Sequence, residues 1–330
     1  MPIVPVSSKP RRSSIFWNGQ QSRDHCGPSD RPLTLPLPAN GERGGRHRAQ
    51  PGNRRASIFV GLCFIAPLIV FLALVYIVPF LGVAGWSVSL PTPGVRQYER
   101  IAADPFILSV FVRTFRICAI VTLASVAAAY AIAYVWVRGT RLQRRLTELC
   151  ILIPFWISIL TRAYGWLALL SSRGLVNGWL KASGLIDSPL QLASSEFAVI
   201  LGMTHALIPF AAFPLASAMR AVDQRVLLAA RGLGASRLRV FWQVFVPMTA
   251  SGVIGAALIV FVFSLGFFVT PALLGGGRSV MAAELIYIRM FQSPDWGLGA
   301  AISVTLVLIV ALLMAALFRF ARPAMLGGRR

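Results

Sequence analysis

Between Arg55 and Arg96 the chain carries no charged residue. A hydrocarbon core about 30 Å thick is crossed by roughly 20 apolar residues in helical form. Backbone facing lipid must satisfy its hydrogen bonds within its own segment, so each isolated apolar run has to be a helix. The first predicted span is residues 58–84, and five more follow at 117–137, 149–172, 197–219, 251–274 and 296–318. The third is interrupted by one charge, Arg162. Only 13% of the chain is charged and 56% is hydrophobic, with a mean hydropathy of +0.71. A soluble chain would carry nearer a quarter charged residues. The expected fold class is therefore an all-α membrane protein with six transmembrane helices.

The net charge of +21 sits mostly in short blocks between these runs. That distribution argues against nucleic acid, whose binders gather basic residues on a folded polar surface. It sets orientation instead, because basic loops stay inside. The segment up to Ser57 has ten Lys/Arg against three acids, the loop 138–148 four against one, and the loop 220–239 five against one. Segments 96–104, 173–196 and 278–295 each balance two basic with two acidic residues. Both termini are thus expected in the cytoplasm. Residues 1–55, rich in Arg, Pro, Gly and Ser, read as a disordered basic arm. The first apolar run is too long for a cleavable signal and reads as an anchor.

The sequence offers little for catalysis. The two lysines, Lys9 and Lys181, precede Pro10 and Ala182, so the chain has no phosphate-cradling G-x-x-x-x-G-K-[ST] loop. Any nucleotide-driven work falls to a partner. His25, His47 and His205 have no metal-ligand spacing, and Cys26, Cys63, Cys118 and Cys150 form no C-x-x-C pair. His205 lies inside the fourth span, where a helix-to-helix hydrogen bond is expected. Gly232-Leu233-Gly234-Ala235-Ser236-Arg237 opens like a dinucleotide fingerprint but has Arg237 in place of the third glycine. No catalytic, metal-binding or cofactor-binding residues are expected.

The loop 220–247 is more informative. Asp223 suits a helix start, residues 224–232 favour helix, and Gly234 permits a sharp turn that a β-carbon resists. Ser236 then suits the start of a second short helix through Val244, with Leu238, Phe241, Val244 and Phe245 at helical spacing. Pro247 fits the first turn of the next span. The product is a bent projection with small residues, Ala229 and Ala230, and a basic rim. It is shaped either for a groove on a partner or for the membrane surface.

At these residues the chain resembles the permease subunits of ABC importers. Ala229-Ala230, Gly234, Val244 and Val246-Pro247 match the spacing of that family's loop: E-A-A, three residues, G, nine residues, I-x-L-P. Leu228 stands where the family has Glu. Pro154-Phe155-Trp156-Ile157-Ser158, Arg162-Ala163-Tyr164-Gly165-Trp166, Phe268-Val269-Thr270-Pro271-Ala272-Leu273-Leu274-Gly275-Gly276 and Asp295-Trp296 resemble the spermidine/putrescine subgroup.

The resemblance implies a type I importer permease fold. It places a permease domain at 109–318, preceded by a first helix and external loop at 56–108 and followed by a tail at 319–330. It implies a coupling role for Leu228, Ala229, Ala230, Gly234, Val244, Val246 and Pro247. The implied partners are a dimer of ATP-binding subunits, a second homologous permease and an extracytoplasmic substrate-binding protein, all at the inner membrane among its lipids. ATP would be used by the partner, with none bound by this chain. A polyamine pathway should offer carboxylates and aromatic faces, which makes Glu284, Asp295, Trp156, Tyr164, Trp166 and Phe268 candidates. Arg162 is a candidate for pairing or gating. The rival reading is a standalone secondary transporter or an intramembrane enzyme; paired halves with broken helices and buried acids or nucleophiles are not evident.

Overall fold

The computed structural model describes residues 54–326, with side chains described over 65–317 and at Arg319. Almost all of the expected basic arm and the last residues of the tail lie outside this range. Contacts divide the chain into Met1–Val60 and Gly61–Arg330. No strand occurs among the described residues.

Helix α1, Arg54–Ser89, contains Pro67 and Pro79. Its membrane-competent part, Ile65–Ser89, has an apolar window with no residue buried inside the chain. It touches the bundle at its end, where Ser87 bonds the Tyr98 hydroxyl of α2 (Arg96–Ala103) at 2.8 Å. Helix α3, Pro105–Arg138, starts twelve residues before the expected span. Asp104 caps it by accepting the Phe106 N–H at 2.8 Å, and Pro105 sits in its first turn, where a missing N–H costs nothing. The sequence reading stopped short because Arg113 and Arg116 interrupt the apolar run.

The third span is also corrected. In place of one straight helix there is α4, Arg141–Trp156, then α5, Ile159–Leu170, and α6, Leu175–Ala182, with a bend of 102° after Trp156. Ile157 and Ser158 are extended, and Pro154 lies in the turn before them. Proline removes one helical hydrogen bond and crowds the preceding turn, which weakens the helix where it breaks. The start also moves to Arg141, inside the expected polar loop, fixed by a capping box between Thr140 and Gln143. Arg144 then bonds the Val137 carbonyl of α3 and the Gly139 carbonyl just past its end, both at 3.0 Å.

Helix α7, Glu196–Ala221, fits the fourth expectation. The loop forms α8, Gln224–Gly232, and α9, Arg237–Val240. A π-turn follows at Phe241–Phe245, then α10, Val246–Met248, and α11, Ala250–Leu265. The fifth span was expected to run unbroken to Leu274, but it ends at Gly266 and restarts as α12, Val269–Leu274. The last elements are α13, Ala282–Tyr287, a π-turn Ile288–Gln292, and α14, Trp296–Leu326.

Helices α3, α7 and α11 make the main core, with Ile117, Val121, Met203, Leu207, Leu215 and Val260 buried. At the α7–α11 crossing a β-carbon added at Gly252 would collide with the Ala218 methyl, so the two backbones are in near contact. Small residues allow such approach between membrane helices. A second cluster joins α3, α13 and α14 through Ile107, Val110, Leu285 and Ile302. The three charge-balanced segments meet at one end, where Arg116 pairs with Glu196 and Arg100 with Asp295. Arg113 also donates there to the Arg278 carbonyl at 3.1 Å. The basic loops 138–148 and 220–239 meet at the other end, where Arg220 lies over Trp136 and the Trp136 N–H bonds Glu148.

Candidate functional site

The projection at the basic end is built by local signals. Asp223 accepts the Arg225 N–H at 2.8 Å and starts α8, while Ser236 accepts the Arg239 N–H at 3.3 Å and starts α9. Between them Gly234 has φ of +84°, a region that L side chains rarely adopt. No residue of α8 is buried. Leu233 is 90% exposed, and Leu228, Ala229, Leu238 and Trp242 are exposed around it, with Ala230 half-buried. Val244 and Val246 are half-buried, and Pro247 lies in α10. The tip is thus an apolar knob rimmed by Arg225, Arg231, Arg237 and Arg239.

At the opposite end lies a row of aromatic rings. Phe268 and Tyr287 are 4.6 Å apart, Tyr287 and Phe291 5.3 Å, Phe291 and Trp296 5.6 Å, and Trp296 and Trp86 5.7 Å. Glu284 lies one turn before Tyr287 on α13 and is 7% exposed, with its Oε2 unpartnered among the described residues. Burial pushes its carboxyl above the ordinary 4.5, opposed by a backbone hydrogen bond at Met281. Asp295 is differently placed. One oxygen pairs with Arg100 at 3.0 Å and the other caps α14 by accepting the Leu298 N–H at 3.1 Å.

The raised Glu284 carboxyl has a measurable consequence. The folded chain holds that proton to higher pH than the unfolded chain, so this group's contribution to stability declines as pH rises above 4.5. Glu284→Gln is expected to melt higher than the native chain at pH 7–8, with the difference closing below pH 4.5. Melting curves of the solubilised protein across that range test this. Identical pH slopes for the two chains would show that Glu284 is not the cause.

The third constellation lies in the broken third span. Trp166 on α5 donates to His205 on α7 at 3.3 Å, the helix-to-helix bond expected of that histidine. Arg162 is in the first turn of α5, within electrostatic reach of His205. Its Nε and Nη1 are buried and have no acceptor among the described residues. The Thr204 hydroxyl nearby in sequence to His205 is likewise unpartnered. The bend after Trp156 precedes Arg162 in the chain. Trp156, 82% exposed, and Tyr164, 57% exposed, stand apart from this cluster. The structure therefore groups Phe268 with the Glu284 segment, and Arg162 with Trp166.

One group escaped the sequence reading. Tyr130 and Tyr134 on α3 pack against Phe241 and Phe245 beneath the projection. Their four-residue spacing on both elements was the available signal, but aromatic residues near span ends read as interfacial anchors.

Long apolar helices with a basic and a charge-balanced end define a polytopic membrane component that carries a bent, exposed projection at one end. The chain belongs to the family described as binding-protein-dependent transport system inner membrane component, whose model matches residues 45–325. It is a multi-pass inner-membrane permease of an ABC importer. It is 32% identical over 226 residues to the spermidine/putrescine transport system permease protein PotB of Escherichia coli (strain K12), covering 68% of this chain and 82% of that one. The PotB of Haemophilus influenzae is 31% identical over 216 residues, 66% and 76% of the two chains. Among solved structures, a chain of the bacterial alginate ABC transporter in complex with an alginate pentasaccharide-bound periplasmic protein superposes with a TM-score of 0.70. Its identity is 16%, and the match covers 82% of this chain and 96% of that one, a likeness of fold.

Proposed function

We propose that this chain is the membrane-spanning permease subunit of an ATP-driven importer for a polyamine or a related small organic cation. It pairs with a second homologous permease, two ATP-binding subunits on the inner side and an extracytoplasmic binding protein. The observation that carries the reading is the projection. Gly234 bends it, Leu228, Leu233 and Leu238 expose an apolar tip, and the flanking helices are capped so that the tip is held away from the bundle. An exposed apolar knob with a basic rim suits a groove on a soluble partner. With the basic ends inside, that partner is cytoplasmic.

The cargo assignment rests on the relatives named for spermidine and putrescine transport. The outer aromatic row beside Glu284 offers the faces and the carboxyl that attract an ammonium group. Arg162 takes a gating or pairing role, since a cation there would repel such a cargo.

The test is co-purification of the tagged chain with the products of neighbouring genes, followed by uptake of labelled spermidine and putrescine into vesicles holding the complex. An ATP-binding subunit in the complex and ATP-dependent uptake are expected. Purification as a lone, ATP-independent transporter would overturn the proposal.

A further inference from the structure

The bend between the projection and the bundle is unusual in how it is held. The chain turns by 59° between the stretch Arg237–Met248 and α11, and the residue at the turn, Thr249, is fully buried. Its N–H is shared between the Phe245 and Val246 carbonyls at 3.1 and 3.2 Å. Its hydroxyl donates to the Val246 carbonyl at 3.0 Å. A threonine hydroxyl has one proton, so toward the Tyr130 hydroxyl, 2.9 Å away, Thr249 can only accept. The direction of that bond is thereby fixed: Tyr130 donates.

This bond ends a longer contact. On α3, Tyr130, Tyr134 and Arg138 recur every four residues and share one face. Opposite them are Phe241, Phe245 and Thr249, again every four residues. Tyr134 meets Phe241 at 5.4 Å and Phe245 at 5.6 Å, both edge-on, and Tyr130 meets Phe241 at 6.4 Å. The Arg138 guanidinium sits over the Phe245 ring at 5.4 Å. Phe241 to Phe245 is a π-turn, closed by the Val246 N–H onto the Phe241 carbonyl. Such insertions in helices are frequent at functional sites. The projection is thus seated on α3, an element remote from it in sequence, as well as joined to its chain neighbours α7 and α11.

Helix α3 has 34 residues and is about 51 Å long at 1.5 Å per residue. Near its far end the buried Thr114 hydroxyl accepts the Ala282 N–H of α13 at 2.9 Å, two residues before Glu284. One continuous helix therefore connects the underside of the projection to the outer segment.

We propose that α3 carries displacement of the projection to the outer end of the bundle, with Tyr130 the positioning residue that holds the bend at Thr249. The proposal rests on the projection being the docking element for the ATP-binding subunit. Strain entering at Leu228–Leu238 is passed through the aromatic face to α3, and from α3 to α13 through Thr114. Cargo-loaded binding protein at the outer end would signal back to the ATPases along the same route, since coupling between sites is reciprocal.

The test uses the complete importer in lipid vesicles, with the external binding protein as purified with its natural cargo. Tyr130→Phe removes the hydroxyl and keeps the ring; Thr249→Val removes the acceptor at similar volume. The readout is the ratio of ATP hydrolysis with the loaded binding protein to hydrolysis without it. Each single variant is expected to lower that ratio at least fivefold. The double variant should be no worse than Thr249→Val alone, which already removes the bond to Tyr130 along with the one to Val246. A purely structural role would lower assembly without changing the ratio in the complexes that form. An unchanged ratio in Tyr130→Phe would overturn the proposal, as would additive losses in the double variant. Gly234→Val measured alongside separates the two readings. If it uncouples and Tyr130→Phe does not, the route through α3 fails alone; if neither does, the docking assignment has failed with it.

Discussion

Gly234→Val should abolish most uptake while leaving the chain inserted and folded. The native φ of +84° lies where a side chain costs about 1–2 kcal/mol, and a β-branched residue is among the least tolerant there. A β-carbon at this position would meet no atom within 4 Å, so packing is not the obstacle. The strain is local to the turn, and the turn relieves it by changing its angle. That moves Leu233 and Leu238 relative to Leu228, so the tip no longer fits its partner. The expected result is at least a tenfold fall in uptake per molecule of chain in the membrane fraction, with melting of the solubilised chain almost unchanged. Gly234→Ala should fall between the two. Normal uptake and ATP hydrolysis in the valine variant would remove the projection from the mechanism.

The second large effect is expected at Arg162, with opposite signs for stability and transport. Two of its nitrogens are buried with no acceptor among the described residues, and it occupies the first turn of α5, the end of a helix that disfavours a cation. Arg162→Leu removes both costs, so the isolated chain should melt several degrees higher. Uptake by the assembled importer should fall at least tenfold, because a residue kept at such a cost is retained for what it does in the working complex. Thermal melts and vesicle uptake on the same preparations check both halves. A variant that melts lower would show that the guanidinium is already satisfied, and unchanged uptake would make its role structural.

How much of this was legible in the sequence depends on the range of the forces involved. Asp223 and Ser236 act on backbone groups two or three residues away and Gly234 on its own φ, so the projection could be drawn from the chain alone, including the positions of both caps. The apolar runs were legible because run length is itself the physical requirement; four form membrane-length helices and two form bent pairs. The bend after Trp156 was not, since Ile157 and Ser158 sit in a run as apolar as its neighbours and Pro154 was the lone local hint. The early start of α3 was hidden for another reason. Arg113 and Arg116 look like the end of a span until their partners, the Arg278 carbonyl and Glu196, are brought in from far along the chain. Asp295 illustrates the same limit: its partner Arg100 lies 195 residues away, and nothing near either residue announces the pair.

The near contact of Gly252 with Ala218 bears on where shape change can occur. Where Gly252 meets the Ala218 methyl no larger side chain separates the helices, and packed interfaces switch between discrete arrangements instead of yielding gradually. Helices α7 and α11 should then travel as one stiff member. Among the breaks inside the apolar runs, Ile157–Ser158, Thr249 and the gap from Gly266 to Phe268 interrupt the helices next to this pair. A rearranging molecule of this kind would flex at such joints while its unbroken helices keep their form.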